Sequence, residues 1–227
     1  MKQAKVARIA ELAAGQWGMV TSRQAAAADV DARTLARWAQ LGKAERLAHG
    51  VYRLAGVPSS PYDDLRVVWI SLDPGRTAHE RFGSETLEVV SHRSAAVLLG
   101  LGNLDADVLE FSAPIRHQPR RADVVVHRVA VRTQDWQLVE GLPVTTPLRT
   151  IADLAAAHLD QGHLADVARD AIAEYGVPAR SLAAVLRRYA HTYGEGSSED
   201  LLNRLLRQAG VPRSAIELAA RADPQRP

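Results

Sequence analysis

The stretch from Gly18 to Gly56, GMVTSRQAAAADVDARTLARWAQLGKAERLAHGVYRLAG, constrains the fold most, because its hydrophobic period changes several times within 39 residues. Just upstream, Lys2 to Ala14 sets Val6, Ile9, Ala10 and Ala13 at helical spacing between charges, and Gly15 stops that helix. Trp17 to Val20 is a short apolar link. Thr21 or Ser22 then caps a second helix by accepting a hydrogen bond from an otherwise unpaired N-terminal amide, and the Ala-rich run to Ala28 continues it. After a turn at Asp29 and Val30, Asp31 is the natural N-cap of a third helix, which Gly42 ends. Ala44 to Leu47 and Val51 to Leu54 make two short strands around His49 and Gly50. Helix, helix, helix and hairpin, in that order, is the pattern of a winged helix-turn-helix.

On a helical wheel the third helix gathers Ala32, Leu35, Trp38 and Ala39 on one side, with Arg33, Arg37 and Gln40 facing the other way. Two guanidinium groups and an amide on an exposed face suit a DNA major groove, where Arg pairs with guanine and Gln with adenine. Thr34 lies at the margin of that face. Arg46, His49 and Arg53 are expected to line the wing and meet phosphates or the adjacent minor groove, with Lys43 at its base and Ser22 and Arg23 opening the second helix. Read plainly, Trp38 is a core residue and Arg33 and Arg37 are an ordinary solvated face. Charge favours the first reading. Residues 1–56 hold nine Lys or Arg against four Asp or Glu, whereas residues 57–227 hold 19 against 22, so a basic module precedes a mildly acidic remainder.

The pattern G-x-V-T-x-x-Q-A, a short turn, L-x-R, then R-L-x-x-G-V-Y-R-L resembles the N-terminal winged-helix domain of AbiEi-type antitoxins of type IV toxin-antitoxin and abortive-infection systems. Gly18, Val20, Thr21, Gln24, Ala25, Leu35, Arg37, Arg46, Leu47, Gly50, Val51, Tyr52, Arg53 and Leu54 carry it. One departure is Ala44, where such proteins usually carry a larger apolar residue. The resemblance implies an antitoxin and transcriptional autorepressor that binds operator inverted repeats and counters a nucleotidyltransferase-like toxin. A palindromic operator calls for two copies about one helical turn apart, as pre-formed dimers or as monomers cooperating on DNA.

Val57 to Pro61, VPSSP, reads as a linker, since two prolines and two serines extend neither neighbour, and it divides a winged-helix domain at 1–56 from a second domain at 62–227. In the second domain Tyr62 to Leu72 reads as a helix with Leu65, Val68, Trp69 and Leu72 on one stripe, and Pro74 to Gly83 as loop. Strands are expected at Leu87 to Val90, Val108 to Ser112, Val124 to Val131, and Trp136 to Val144 with a Gly-Leu-Pro turn inside it. Ser91 caps a helix from His92 to Leu99. From Pro147, suited to the first helical position, the pattern turns helical: Leu148 to Ala155, Leu164 to Tyr175, Ala179 to Ala190 and Ser198 to Ala209. The last residues, rich in Arg and Pro, are expected to fray. The fold class is therefore α+β, an N-terminal winged helix-turn-helix followed by a mixed domain with a helical C-terminal part.

This second region also resembles the middle segment of longer AbiEi-like proteins. Val90 to His92, Ser94 to Ala96, Leu98, Gly100, Gly141 to Pro147, Arg149, Thr150, Asp153 and Leu154 carry the resemblance. In some relatives a restriction-nuclease-like domain follows, entered through a Ser-x-Glu helix like that of Ser197 to Leu206. The sequence ends before the acidic core of such a nuclease, which argues against inherited nuclease activity.

Composition sets outer bounds. No run approaches 18 uninterrupted apolar residues, and charges inside the first helix are unlike a signal peptide, so a cytoplasmic protein with no membrane partner is expected. With no Cys, disulfides, thiol catalysis and Cys-based zinc sites are excluded. The eight His are scattered, and His158 and His163 fall on different faces of any continuous helix, so no metal site is expected. No H-E-x-x-H or phosphate-binding glycine loop occurs, and no cofactor is implied. Asp105, Asp107, Glu110 and Asp123 could meet in the fold but read as solvated strand-edge acids, and His92 and Arg149 as caps or buried polar partners. The chain is thus not expected to be an enzyme. The alternative to an antitoxin is a ligand-responsive winged-helix regulator with no toxin partner; a DNA-acting enzyme is the weaker third reading.

Overall fold

A computed structural model describes residues 2–216, apart from the side chains of residues 2 and 3. The chain end where fraying is expected lies outside the described residues. The chain separates into two compact units, Met1–Glu88 and Val89–Pro227. The division falls some 30 residues beyond the Pro-Ser stretch at 57–61, because the two helices after that stretch pack back on the winged helix.

The first unit runs α1 (Lys2–Ala14), β1 (Met19–Thr21), α2 (Ser22–Ala27), α3 (Ala32–Gln40), β2 (Ala44–Ala48), β3 (Val51–Leu54), α4 (Asp63–Leu72) and α5 (Ala78–Phe82). Its sheet is antiparallel in the order β1-β3-β2, with Val20 opposite Tyr52 and Ala44 opposite Leu54. The segment Trp17 to Val20, expected as a link, thus feeds a strand. Three residues are too few to show a period of two, and it is the pairing with β3 that holds them extended. Gly18 has φ +73°, and a Cβ there would stand 2.4 Å from a Val57 methyl, so the chain can enter β1 this way only with glycine.

Ile9, Val20, Ala25, Ala28, Val30, Leu35, Ala44 and Tyr52 form the core, with Leu12, Trp38, Ala39 and Leu54 packed at its margin. Ala44 is buried within this core. The buried stripe of α1 is Ile9, Leu12 and Ala13; Val6 and Ala10 stay exposed, because the rest of the unit covers a narrower band of that helix than the apolar spacing offered. Ala32, expected on the apolar face of α3, is also exposed, lying in the first turn beside the cap. Thr21, not Ser22, caps α2: its hydroxyl accepts from the Gln24 amide while the Gln24 side chain accepts from Thr21 N–H, a reciprocal capping box.

Gln24 does more than cap. Its side chain and that of Gln16 are both buried and clasp each other, Gln16 Nε2 donating to Gln24 Oε1 (2.8 Å) and Gln24 Nε2 to Gln16 Oε1 (3.1 Å). The remaining valences go to backbone: Gln16 Nε2 to Met19 O, Gln24 Nε2 to Arg76 O, and the two amide oxygens receive Ala78 N–H and Thr21 N–H. Thr21 Oγ1 donates to Pro74 O at 2.5 Å. Pro74 to Gly83, expected to be loop, therefore enters α5, begun by a second capping box between Thr77 and Glu80.

Leu65 to Ile70 of α4 are buried on every side rather than along one stripe. Trp69 meets Trp17 edge-on at 5.9 Å and stacks with Phe82 at 5.8 Å. The Arg81 guanidinium lies 3.5 Å over Trp69, donates to Trp69 O and pairs with Glu88 at 2.5 Å, all fully buried. Burial pushes the Arg81 guanidinium down from its ordinary value, and Glu88 opposes that shift. On the other strand face Arg53, expected to line an open wing, is only 8% exposed and bonds Glu45 (2.6 Å) and Asp63 (2.5 Å). β3 is the central strand, and α4 supplies the second carboxylate that fixes Arg53 inside the unit.

The second unit contains β4 (Val89–Val90), α6 (His92–Leu99), β5 (Leu109–Ala113), β6 (Val124–Arg128), β7 (Trp136–Val139), β8 (Leu142–Thr145), α7 (Pro147–Ala156), α8 (Gln161–Ala173), α9 (Ala179–Leu186) and α10 (Ser198–Gln208). Its mixed sheet has the order β6-β5-β4-β8-β7, with β4–β8 and β5–β6 parallel. The single strand expected from Trp136 to Val144 is a hairpin, turned at Glu140 and Gly141, both at positive φ. Helix α7 begins with Pro147 and packs on α6, α8 and α9, and α10 closes over α8 and α9. Phe111, Leu142, Val144, Ile151, Leu154, Leu164, Leu201 and Leu205 are fully buried there.

Replacing Gln24 or Gln16 by Met orphans several buried backbone groups and should lower unfolding free energy by about 2 to 4 kcal/mol, at roughly 1 to 3 per group. Denaturant melts of both singles and the double should show a double cost clearly below the sum of the two, because each single already breaks the shared pair. Arg53→Ala should cost about 1.5 to 3 kcal/mol in the same melts, as expected for charged hydrogen bonds lost inside a structure.

Candidate nucleic-acid interface

Asp31 fixes where α3 begins: its carboxylate accepts Thr34 N–H at 2.6 Å. That bond, the Thr34 hydroxyl and then the Arg33 and Arg37 guanidiniums hold the Asp31 carboxyl below its ordinary value. Leu35 is fully buried and Trp38 half-buried, which turns Arg33, Arg37 and Gln40 to solvent on the opposite face. Thr34 is half-buried at the margin. At the other end of the motif Ser22 is half-buried, its N–H bonded to Gly50 O at 2.8 Å, so the start of α2 is tied to the tip of the β2–β3 wing. Arg23 is exposed beside it.

The wing is short. Its register slips between Arg46 and Ala48, and the exposed Arg46 side chain lies along the bulge, reaching Ala48 O and His49 Nδ1 at 3.4 Å each. Lys43 and His49 are exposed as well. Seven of the ten residues expected to face DNA therefore do face solvent, two are half-buried and Arg53 is internal. Arg53 is a structural ion-pair residue and leaves the set.

The basic residues sort into two groups. Lys5 donates to Asp29 O at 2.7 Å and Arg8 lies 3.8 Å from the Asp29 carboxylate, so both brace α1 against the left-handed turn residue (φ 60°) that separates α2 from α3. The side chains of Arg23, Arg33, Arg37 and Lys43 make no salt bridge or hydrogen bond among the described residues, though Arg33 and Arg37 act on the Asp31 carboxyl through space.

In the second unit the four acids do not gather. Asp105 and Asp107 are exposed, and Asp123 pairs with Arg121. Glu110 instead bonds His127 Nε2 at 3.0 Å, and His127 stacks on His92 with ring centres 3.7 Å apart. Burial, then the neighbouring His127, push the His92 imidazole down to about 4. Burial works to raise the Glu110 carboxyl, but the hydrogen bonds from His127 and Arg93 N–H hold it below its ordinary value. Arg149 is an ion-pair partner, 2.8 Å from Asp153 and 3.8 Å from Asp135, while Thr146 caps α7. His158 and His163 are exposed, His158 in the turn between α7 and α8 and His163 in the first turn of α8. The cluster around Glu110 escapes a reading from spacing because its members lie in different elements. The sign that could have raised it is a period of two placing Glu110 and Ser112 on one strand face.

Among the described residues no helix is long and apolar enough to cross a membrane. Comparison with curated proteins returns no match. Residues 7–55, from within α1 to the end of the wing, match the family model described as transcriptional regulator, AbiEi antitoxin. The match spans about a fifth of the chain and contains every exposed basic residue of the helix-turn-helix and wing. Over these residues the chain is similar to the AbiEi antitoxin transcriptional regulators, and their fold here is a winged helix.

Proposed function

We propose that the chain is an antitoxin and an autorepressor of its own toxin-antitoxin operon. The observation that carries the reading is α3: an AbiEi-family domain caps and buries one side of this helix and turns Arg33, Arg37 and Gln40 outward. In the proposed complex α3 enters the major groove, with Arg33 and Arg37 bidentate to guanines, Gln40 to adenine and Thr34 at the edge. Lys43, Arg46, His49, Ser22 and Arg23 meet phosphates and the flanking minor groove. Two copies bind an inverted repeat with half-sites about 34 to 36 Å apart. The partner gene encodes a nucleotidyltransferase-like toxin, and the second unit supports its neutralisation. The reading needs no cofactor and no catalysis, and it places the protein in the cytoplasm.

Binding of DNA from upstream of the gene, followed by anisotropy at several salt concentrations, tests the interface. Arg33→Ala and Arg37→Ala should each cost about 1 to 3 kcal/mol with operator DNA and far less with unrelated DNA. Lys43→Ala or Arg46→Ala should weaken both DNAs alike and flatten the salt slope by about one unit. Unchanged operator affinity in the Arg33/Arg37 double variant would remove α3 from the interface.

Neutralisation is tested separately by growth of a host inducing the neighbouring gene alone, with the full chain, and with the Arg33/Arg37 double variant. The expected outcome is toxicity, rescue by the full chain, and rescue by the variant despite lost repression of an operon-promoter reporter. A neighbour that is not toxic, or whose toxicity neither protein relieves, would leave a winged-helix regulator without a toxin partner.

A further inference from the structure

We propose that His92, Glu110 and His127 bind one divalent transition-metal ion, of the zinc type. Each offers a ligand atom, and the three atoms lie within 4.8 Å of one another. The sheet builds the site. Glu110 and Ser112 share one face of β5, and the parallel register that sets Ser112 beside His127 brings the imidazole of β6 onto that same face. The antiparallel pairing of β4 with β5 delivers the chain to Ser91, whose N–H bonds Glu110 O, and His92 then takes φ +53° as it opens α6. A left-handed non-glycine residue is a local cost that the surrounding structure must override, and it occurs at a ligand position.

The chemistry of the cluster is better met by a cation than by its own hydrogen bonds. Two imidazoles stacked face to face give each other no hydrogen bond and no counter-charge, and the one carboxylate beside them bonds only His127. Zinc bound to nitrogen and carboxylate oxygen has bonds of about 2.0 to 2.2 Å, which set neighbouring ligand atoms roughly 3.3 Å apart. His127 Nε2 and Glu110 Oε1 already stand at 3.0 Å. Coordination requires the ring stack to open, and His127 is the ring that moves: it sits on edge strand β6 with 29% of its side chain exposed.

Outer partners orient the other two ligands. Ser91 Oγ lies 2.9 Å from His92 Nδ1 and is itself held by Ser112 Oγ, which assigns His92 Nε2 to the ion. Arg93 N–H donates to Glu110 Oε2, which assigns Oε1. Two imidazoles and one carboxylate select borderline ions over Mg2+ or Ca2+, and three protein ligands leave a further coordination position for water.

The test uses the full chain, without an added tag, stripped with chelator and titrated with Zn2+ by calorimetry, with elemental analysis after dialysis and thermal melts with and without Zn2+. We expect one Zn2+ per chain, a melting temperature raised by Zn2+ and not by Mg2+, and a visible ligand-field band when Co2+ is used instead. Glu110→Gln and His127→Gln should each weaken Zn2+ binding at least about tenfold and abolish the zinc-dependent rise in melting temperature. A His158→Asn/His163→Asn variant should behave as wild type. Circular dichroism reads whether each variant is folded; if one is not, the wild-type stoichiometry, Co2+ spectrum and Mg2+ control decide alone. Substoichiometric zinc, an equal response to Mg2+, zinc binding that survives both ligand variants in folded protein, or its loss in the His158/His163 variant would overturn the assignment.

Discussion

The reciprocal amide pair of Gln16 and Gln24 is the constraint on which the first unit depends. Both amides are buried, and every donor and acceptor they own is used, four of those bonds reaching backbone at Met19, Thr21, Arg76 and Ala78. An unmet polar group at such a depth costs more than a satisfied one returns, so the pair works as an all-or-none lock rather than a sum of bonds. It fixes the exit of α1, the start of α2 and the loop leading into α5 in one step. The orientation of α3 follows, because α2 carries the turn at Asp29 that Lys5 and Arg8 brace.

That lock explains why the winged helix does not end at its wing. A wing presented alone would leave the outer face of β3 to water, and Arg53 would be one more cation beside the bulge. With α4 packed behind it, Arg53 becomes the bridge between Glu45 and Asp63, and Arg81 is drawn under Trp69 toward Glu88. The same helices supply acids to a module whose first 56 residues are basic. Positive charge is thereby removed from the back of the domain and left on α3 and the wing.

What the sequence made legible was set by how local each determinant is. The caps at Thr21 and Asp31, the stop at Gly42 and Pro147 at the start of α7 each act within four residues, and each was readable. Strand β1 is three residues long and owes its conformation to β3, some 30 positions away, and helix α5, though it has a local capping box, is five residues long, so no window of periodicity contained either. Gln16 was invisible for the same reason: a lone glutamine after a helix reads as surface until its partner is in place. The Pro-Ser stretch at 57–61 carries no helix or strand, but the packing of α4 and α5 carries on through it. His92, Glu110 and His127 share no local spacing, since only the β5–β6 register puts a residue of one strand beside a residue 17 positions on.

Under the proposed role on DNA, the sorting of charges also bears on how many copies are needed. Of the eight Lys and Arg side chains described in residues 1–56, those of Lys5, Arg8 and Arg53 serve the fold and that of Arg46 leans on its own wing, which leaves Arg23, Arg33, Arg37 and Lys43 with no side-chain hydrogen bond or salt bridge among the described residues. Affinity for duplex DNA scales with the number of phosphates neutralised, because each releases condensed counterions. Some five cations per copy, Arg46 among them and two on the base-reading helix, give a shallow salt dependence and weak attachment for one domain. Two copies on an inverted repeat double that exponent and add a second set of base contacts, so the charge the fold withholds from each domain makes repression depend on occupancy of both half-sites.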